Sequence, residues 1–132
     1  MSVTRIFGQK SEANQYESVT AAKTLTVSDT GTTFLLPATG KAITLPAPTA
    51  GVNFKFLCTA TTAGTNWTIT GGNSLIFGSA QVAGAVVAAD AETTITLVIA
   101  KFLKGDWITL ESDGTNWYVE GSVVTAAGCT FA

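Results

Sequence analysis

The chain contains no histidine among its 132 residues. That removes the side chain most often used as a base at neutral pH and the commonest metal ligand. Charge is also scarce. Only 12% of residues are charged, against about 25% in an average domain, and the net charge is −2. No basic run is present, so the sequence offers no footprint for a nucleic-acid backbone or an anionic membrane. No apolar run approaches the ~20 residues that cross a bilayer. The first ten residues, Met1 to Lys10, lack the apolar centre of a signal peptide, and the sequence therefore leads us to expect synthesis and use from the cytosol. The two cysteines, Cys58 and Cys129, form no CxxC pair. In a reducing compartment they read as small buried apolar side chains rather than as a disulfide. With no base, no nucleophile constellation and no metal set, the expectation is a protein that is not an enzyme and holds no metal or cofactor.

What remains is rich in Thr, Ser, Asn and Gly, a mix that favours strands and turns. The length suggests one domain with a core of its own. Gly105 to Gly121 reads as a complete β-hairpin. Asp106 to Glu111 and Trp117 to Glu120 are β-branched and aromatic, and Ser112-Asp113-Gly114-Thr115-Asn116 between them is a turn in which Gly114 is free to take positive φ. Alternation puts Ile108 and Leu110 on one face, and Trp107, Thr109 and Glu111 on the other. On the second arm Trp117 and Val119 face opposite to Tyr118 and Glu120. A hairpin alone cannot bury its apolar face, so a second layer is required.

The same alternation predicts strands over Thr24 to Val27, Thr32 to Leu36, Ala42 to Leu45, Asn53 to Thr59, Asn66 to Thr70, Ser74 to Phe77 and Glu92 to Ala100. Asn53 to Thr59 reads as central, with Phe54, Phe56 and Cys58 inward. Gly78 is expected to end its strand. Gln81 to Ala91 reads as irregular strand, because Gly84 and the Val pair oppose a helix. Residues 1–22 differ from the rest. They are polar and follow neither period, and they read as an extended N-terminal arm in front of a β domain over 23–132. About nine strands with turns every 8 to 12 residues predict an all-β fold, a single antiparallel β-sandwich or β-barrel-like domain of jelly-roll type. Gly-Thr-Asn-Trp occurs twice, at Gly64–Trp67 and Gly114–Trp117, which suggests two similar hairpins, one in each sheet.

Three segments carry a resemblance: Ala42 to Phe56 (Ala-Ile-Thr-Leu-Pro-Ala-Pro-Thr-Ala-Gly-Val-Asn-Phe-Lys-Phe), the Thr-Ile-Thr-Gly-Gly-Asn around Gly71, and the Gly105 hairpin. Together they resemble virion proteins of tailed bacteriophages, both head-decoration (cement) and fibre or tail proteins, over roughly Ala42 to Gly121. That resemblance implies a structural protein on the outer surface of a capsid, made in the host cytoplasm. Its implied partners are a major capsid protein at capsomer junctions and further copies in a homotrimer, with no nucleic acid, membrane or small molecule. The arm, with Arg5, Ile6, Phe7, Lys10 and Tyr16, would grip the shell or a neighbouring subunit. The alternative is a tail-fibre or receptor-binding β domain that recognises a cell-surface glycan.

Four aromatics decide between these. Trp67, Trp107, Trp117 and Tyr118 read either as core or subunit-interface anchors or as a glycan platform with Asp113 and Asn116 as hydrogen-bonding partners. Alternation explains each aromatic without a ligand. Asp106, Glu111, Asp113 and Glu120 admit an acid-pair or cation reading, but hairpins carry such charges at their solvent edge and the spacing matches no calcium loop.

Overall fold

The computed structural model describes residues 15–132. Twelve strands occur among the described residues: β1 (Gln15–Ser18), β2 (Lys23–Thr24), β3 (Thr32–Leu36), β4 (Ala42–Thr44), β5 (Asn53–Cys58), β6 (Trp67–Thr70), β7 (Ile76–Val82), β8 (Ala85–Glu92), β9 (Thr94–Leu97), β10 (Trp107–Ser112), β11 (Trp117–Val123) and β12 (Cys129–Phe131). A single 3₁₀ turn, Val27–Asp29, lies between β2 and β3. The strands make two sheets. One has seven strands in the order β1-β3-β5-β10-β11-β7-β8, the other five in the order β12-β9-β6-β4-β2. The expected all-β sandwich is what forms.

Most strands form where alternation predicts; the strand expected over Thr24 to Val27 shortens to β2, with Val27 in the 3₁₀ turn, and β1 forms within the segment read as an arm. In β5 the inward residues Phe54, Phe56 and Cys58 are buried while Asn53 and Lys55 are exposed. Phe34 stacks on Phe56 at 5.6 Å between ring centroids, and Phe54 on Trp117 at 5.8 Å. Each ring buried this way contributes about 1.5–3 kcal/mol over an exposed one. Ile69, Ile95 and Leu97 meet them from the five-stranded sheet and close one continuous core.

Pairing direction departs from the antiparallel expectation. From β1 to β6 the chain alternates between the two sheets, so each return to a sheet runs in the same direction as the strand before. β1 pairs with β3, β3 with β5, β2 with β4 and β4 with β6, all in parallel. Only from β5 onward do antiparallel pairs dominate, in β5–β10, β10–β11, β7–β8, β6–β9 and β9–β12. Alternation records which face a residue takes and says nothing of the neighbour's direction. The Gly105 hairpin forms as read, with Ser112 opposite Trp117 and Trp107 opposite Ser122.

The expected arm is described only from Gln15. There it is an edge strand of the seven-stranded sheet, and Val19 after it is buried with its N–H donating to Leu35 O at 3.0 Å. All four side chains of β1 are exposed, so no apolar pattern marks it. A backbone ladder holds it in place.

Every strand of this sandwich begins or ends at one of two loop clusters. One end carries the 3₁₀ turn, the β4–β5 loop and the hairpin tip at Asp113–Asn116. The other carries the β3–β4, β5–β6 and β9–β10 loops. The buried Asp106 ties this second end together. Its carboxylate accepts from Leu103 N–H at 2.8 Å and from Val124 N–H at 3.3 Å.

Candidate functional site

The four candidate aromatics divide by strand parity. Trp67 and Trp117 each stand first in a strand and face inward, and both are fully buried. The repeated Gly-Thr-Asn-Trp is therefore a strand entry that plants a tryptophan in the core, once per sheet. Only the second copy belongs to a hairpin, because β5 leads to β6 by crossing between sheets. Trp107 and Tyr118 take the opposite parity and stand on the outer face of the seven-stranded sheet. Trp107 is half-buried there and Tyr118 is 41% exposed. Of the arm residues, Arg5, Ile6, Phe7 and Lys10 lie outside the described residues. Tyr16 sits on β1, exposed at the sheet edge.

Register lines up what surrounds Trp107. Its neighbour is Leu57 on β5 and Ser122 on β11; Ser122 is opposite Gln81 on β7, and Gln81 is opposite Val86 on β8. A groove of about 380 Å³ follows this row, lined by Ser79, Gln81, Val86, Trp107, Glu120 and Ser122. Apolar surface comes from the indole and Val86. Hydrogen-bonding capacity comes from two hydroxyls, one amide and one carboxylate. On the β5 side Lys55 Nζ lies 5.3 Å from the Trp107 ring centroid, close enough for a cation–π contact. A second groove on this face, about 440 Å³, is polar, with Thr33, Asn53, Lys55, Thr109 and Glu111 along it. The sequence marks Trp107 as outward. It does not reveal Ser79, Gln81 and Val86 as its companions, because Ser79 follows the Gly78 expected to end its strand, Gln81 and Val86 come from the stretch read as irregular, and the row reaches Trp107 through a parallel β7–β11 pair.

Tyr118 stands four residues along β11 from Ser122, about 13 Å at about 3.3 Å per residue. Its ring lies 6.3 Å from Phe77. Its hydroxyl donates to Asp113 Oδ2 at 2.8 Å, while Asp113 Oδ1 accepts from Thr115 N–H and Asn116 N–H at 2.9 Å each. These three bonds, the backbone pair first, hold the Asp113 carboxyl below the usual carboxylate range. The same carboxylate raises the Tyr118 phenol. Asp113 is thus engaged in its own turn, and Asp106 in capping loops. Among the described residues no three of Cys, Asp or Glu gather as a metal site. Cys58 and Cys129 are free and buried. Burial pushes the first thiol up to about 11 and the second to about 12, so neither is a thiolate nucleophile at neutral pH.

Residues 4–130 match a protein-family model described as surface adhesin CshA non-repetitive domain 2. No curated protein and no solved structure matches the chain. The family match overturns the resemblance to phage head-decoration proteins, and with it the expected major capsid protein partner, the homotrimer on a shell and the location on a virion. The segments that carried that resemblance are alternating strands closed by Gly, Asn and Pro turns. Any sandwich of this size needs such segments, so they report fold rather than identity. The adhesin family accords instead with a β domain that binds at a cell surface.

Proposed function

Because the chain belongs to the surface adhesin CshA non-repetitive domain 2 family, we propose that it is a non-catalytic β domain that recognises a cell-surface glycan through the outer face of its seven-stranded sheet. One observation carries this reading: a half-buried tryptophan beside a groove whose other walls are Ser79, Gln81, Glu120 and Ser122. A sugar ring has an apolar face and a polar rim. An indole serves the first, and short hydroxyl, amide and carboxylate side chains serve the second. The site sits on strands rather than loops, so its geometry is held by ladder hydrogen bonds and little order is lost on binding.

The test is a glycan array probed with the full chain and with Trp107→Ala and Gln81→Ala. The expected result is a restricted set of saccharide hits that either substitution removes, with thermal unfolding of Gln81→Ala unchanged. An array without hits, or hits that survive both substitutions, would overturn the reading.

A further inference from the structure

Charged side chains are few in this chain, yet many of them sort by end; Lys23, near Asp29, and Lys55, in the polar groove with Glu111, stand outside that pattern. Asp29 lies in the 3₁₀ turn, Asp113 at the hairpin tip, Asp90 and Glu92 at the close of β8, and Glu111 near the close of β10. The ladder places all five at one end of the sandwich. Glu111 is opposite Asn53 at the start of β5, Glu92 is opposite Ile76 at the start of β7, and Ile76 is level with Trp117. The opposite end carries Lys41, just before β4, and Lys101 and Lys104 in the loop between β9 and β10. Backbone bonds knit these loops together: Thr62 N–H to Phe102 O, Ala63 N–H to Ala38 O and Ala100 N–H to Thr62 O. Lys101 and Lys104 are exposed and Lys41 is half-buried.

Among the described residues no ion pair forms at either end, and the one salt bridge is Lys23 to Glu17, at 3.0 Å. Asp106, the carboxylate nearest the lysines in sequence, is buried and accepts from backbone N–H groups. Strands of seven or eight residues separate the two ends by about 25 Å at about 3.3 Å per residue. That exceeds the screening length of about 8 Å at physiological salt, so the two ends do not neutralise each other.

We propose that this domain associates head to tail with a second copy of itself, the lysine end of one against the carboxylate end of the next. A second copy is the partner that satisfies both ends with the chain's own charges. The contact joins two different surfaces, so it repeats as an open column. Exposed aliphatics give the charges something to pack around, with Ile99 and Val124 at the lysine end and Val27 at the carboxylate end. The column leaves the outer face around Trp107 uncovered and does not rest on what that face binds.

Sedimentation velocity across a concentration series tests this. The expected weight-average mass rises with concentration in about 0.01 M salt, where charges act over about 30 Å, and returns to the monomer in about 1 M salt, where they act over about 3 Å. The variants Lys41→Glu/Lys101→Glu/Lys104→Glu and Asp90→Lys/Glu92→Lys/Glu111→Lys each stay monomeric alone and associate when mixed. Trp107→Ala associates as the parent does. A monomer at every concentration in low salt overturns the proposal, as does association that either triple variant leaves intact. Capture of such a monomer on a sulfated polysaccharide resin, lost in the lysine variant, would assign the basic end to a polyanion instead.

Discussion

Trp67 and Trp117 occupy equivalent places in a repeated tetrapeptide, yet their indole nitrogens differ. Trp67 Nε1–H donates to Pro37 O at 3.2 Å, whereas Trp117 Nε1 is buried with no acceptor among the described residues. An internal hydrogen bond contributes about 1 kcal/mol net. Trp67→Phe is therefore expected to cost more stability than Trp117→Phe by about that amount, measured by urea unfolding. Equal losses would contradict the assigned acceptor. At the surface, Asp113 and Tyr118 make a linked pair of titrations. A carboxyl with a folded pKa below its unfolded value stabilises the fold above about pH 3.9, and that contribution is lost as pH falls through the folded value. For the raised Tyr118 phenol the sign reverses. Its contribution is present below about pH 10 and is lost as pH rises through the folded value. In an NMR titration Asp113 should ionise below an ordinary aspartate, and Tyr118→Phe should move it back upward. An unmoved Asp113 would remove the phenol from the causes of its shift.

The β7–β8 hairpin turns through two residues, Ala83 at φ 54° and Gly84 at φ 80°, with Val82 opposite Ala85. Both central residues have positive φ, the geometry of a type I′ turn, which favours Asn-Gly. Ala83 is the misfit, and Ala83→Asn should stabilise the domain by about 0.5–1 kcal/mol, read as a higher Tm. A lower Tm would argue against that turn. Gly78 is the converse case. It lies at φ 116°, and a Cβ there would come within 2.4 Å of Val119 O on β11. Gly78→Ala should cost about 1–3 kcal/mol. Gly78 also shows where sequence reading stops short. It was expected to end its strand, but β7 runs through it to Val82 with a break in register between Ile76 and Gly78. Similarly, alternation along the strand expected over Glu92 to Ala100 puts Ile99 inward with Ile95 and Leu97, yet Ile99 is exposed, because the chain turns after Leu97 and Phe102, two residues past Ala100, takes the core position. Alternation made β3, β5, β10 and β11 legible residue by residue, since each has one face in the core. It could not supply sheet order, since the parallel half is built by crossing between sheets. Half of the groove was readable for the same reason. Trp107 has its parity written in its own strand, whereas Gln81 and Val86 reach it only through neighbours that no local pattern names.

At the scale of the whole molecule, the sandwich buries its apolar residues in one core and leaves two kinds of surface. The ends carry segregated charge, and the broad outer face of the seven-stranded sheet carries Trp107, Tyr118 and Phe77 among short polar side chains. Membership in a surface-adhesin family gives that face its proposed role, and a low charge density suits recognition of a ligand that is itself mostly uncharged. The two surfaces are compatible. A column formed end to end would present the same face at every repeat, and repeated weak sites gain strength by multivalency. Raising salt should weaken the column while leaving a stacking contact at Trp107 largely intact. The most direct measurement is a two-dimensional ¹H–¹⁵N NMR titration of the full chain in high salt with a saccharide from the array. The expected shifts are confined to the Trp107 indole and the backbone of Ser79, Gln81, Glu120 and Ser122. Shifts centred on the five-stranded sheet or on either loop-bearing end would contradict the proposed site.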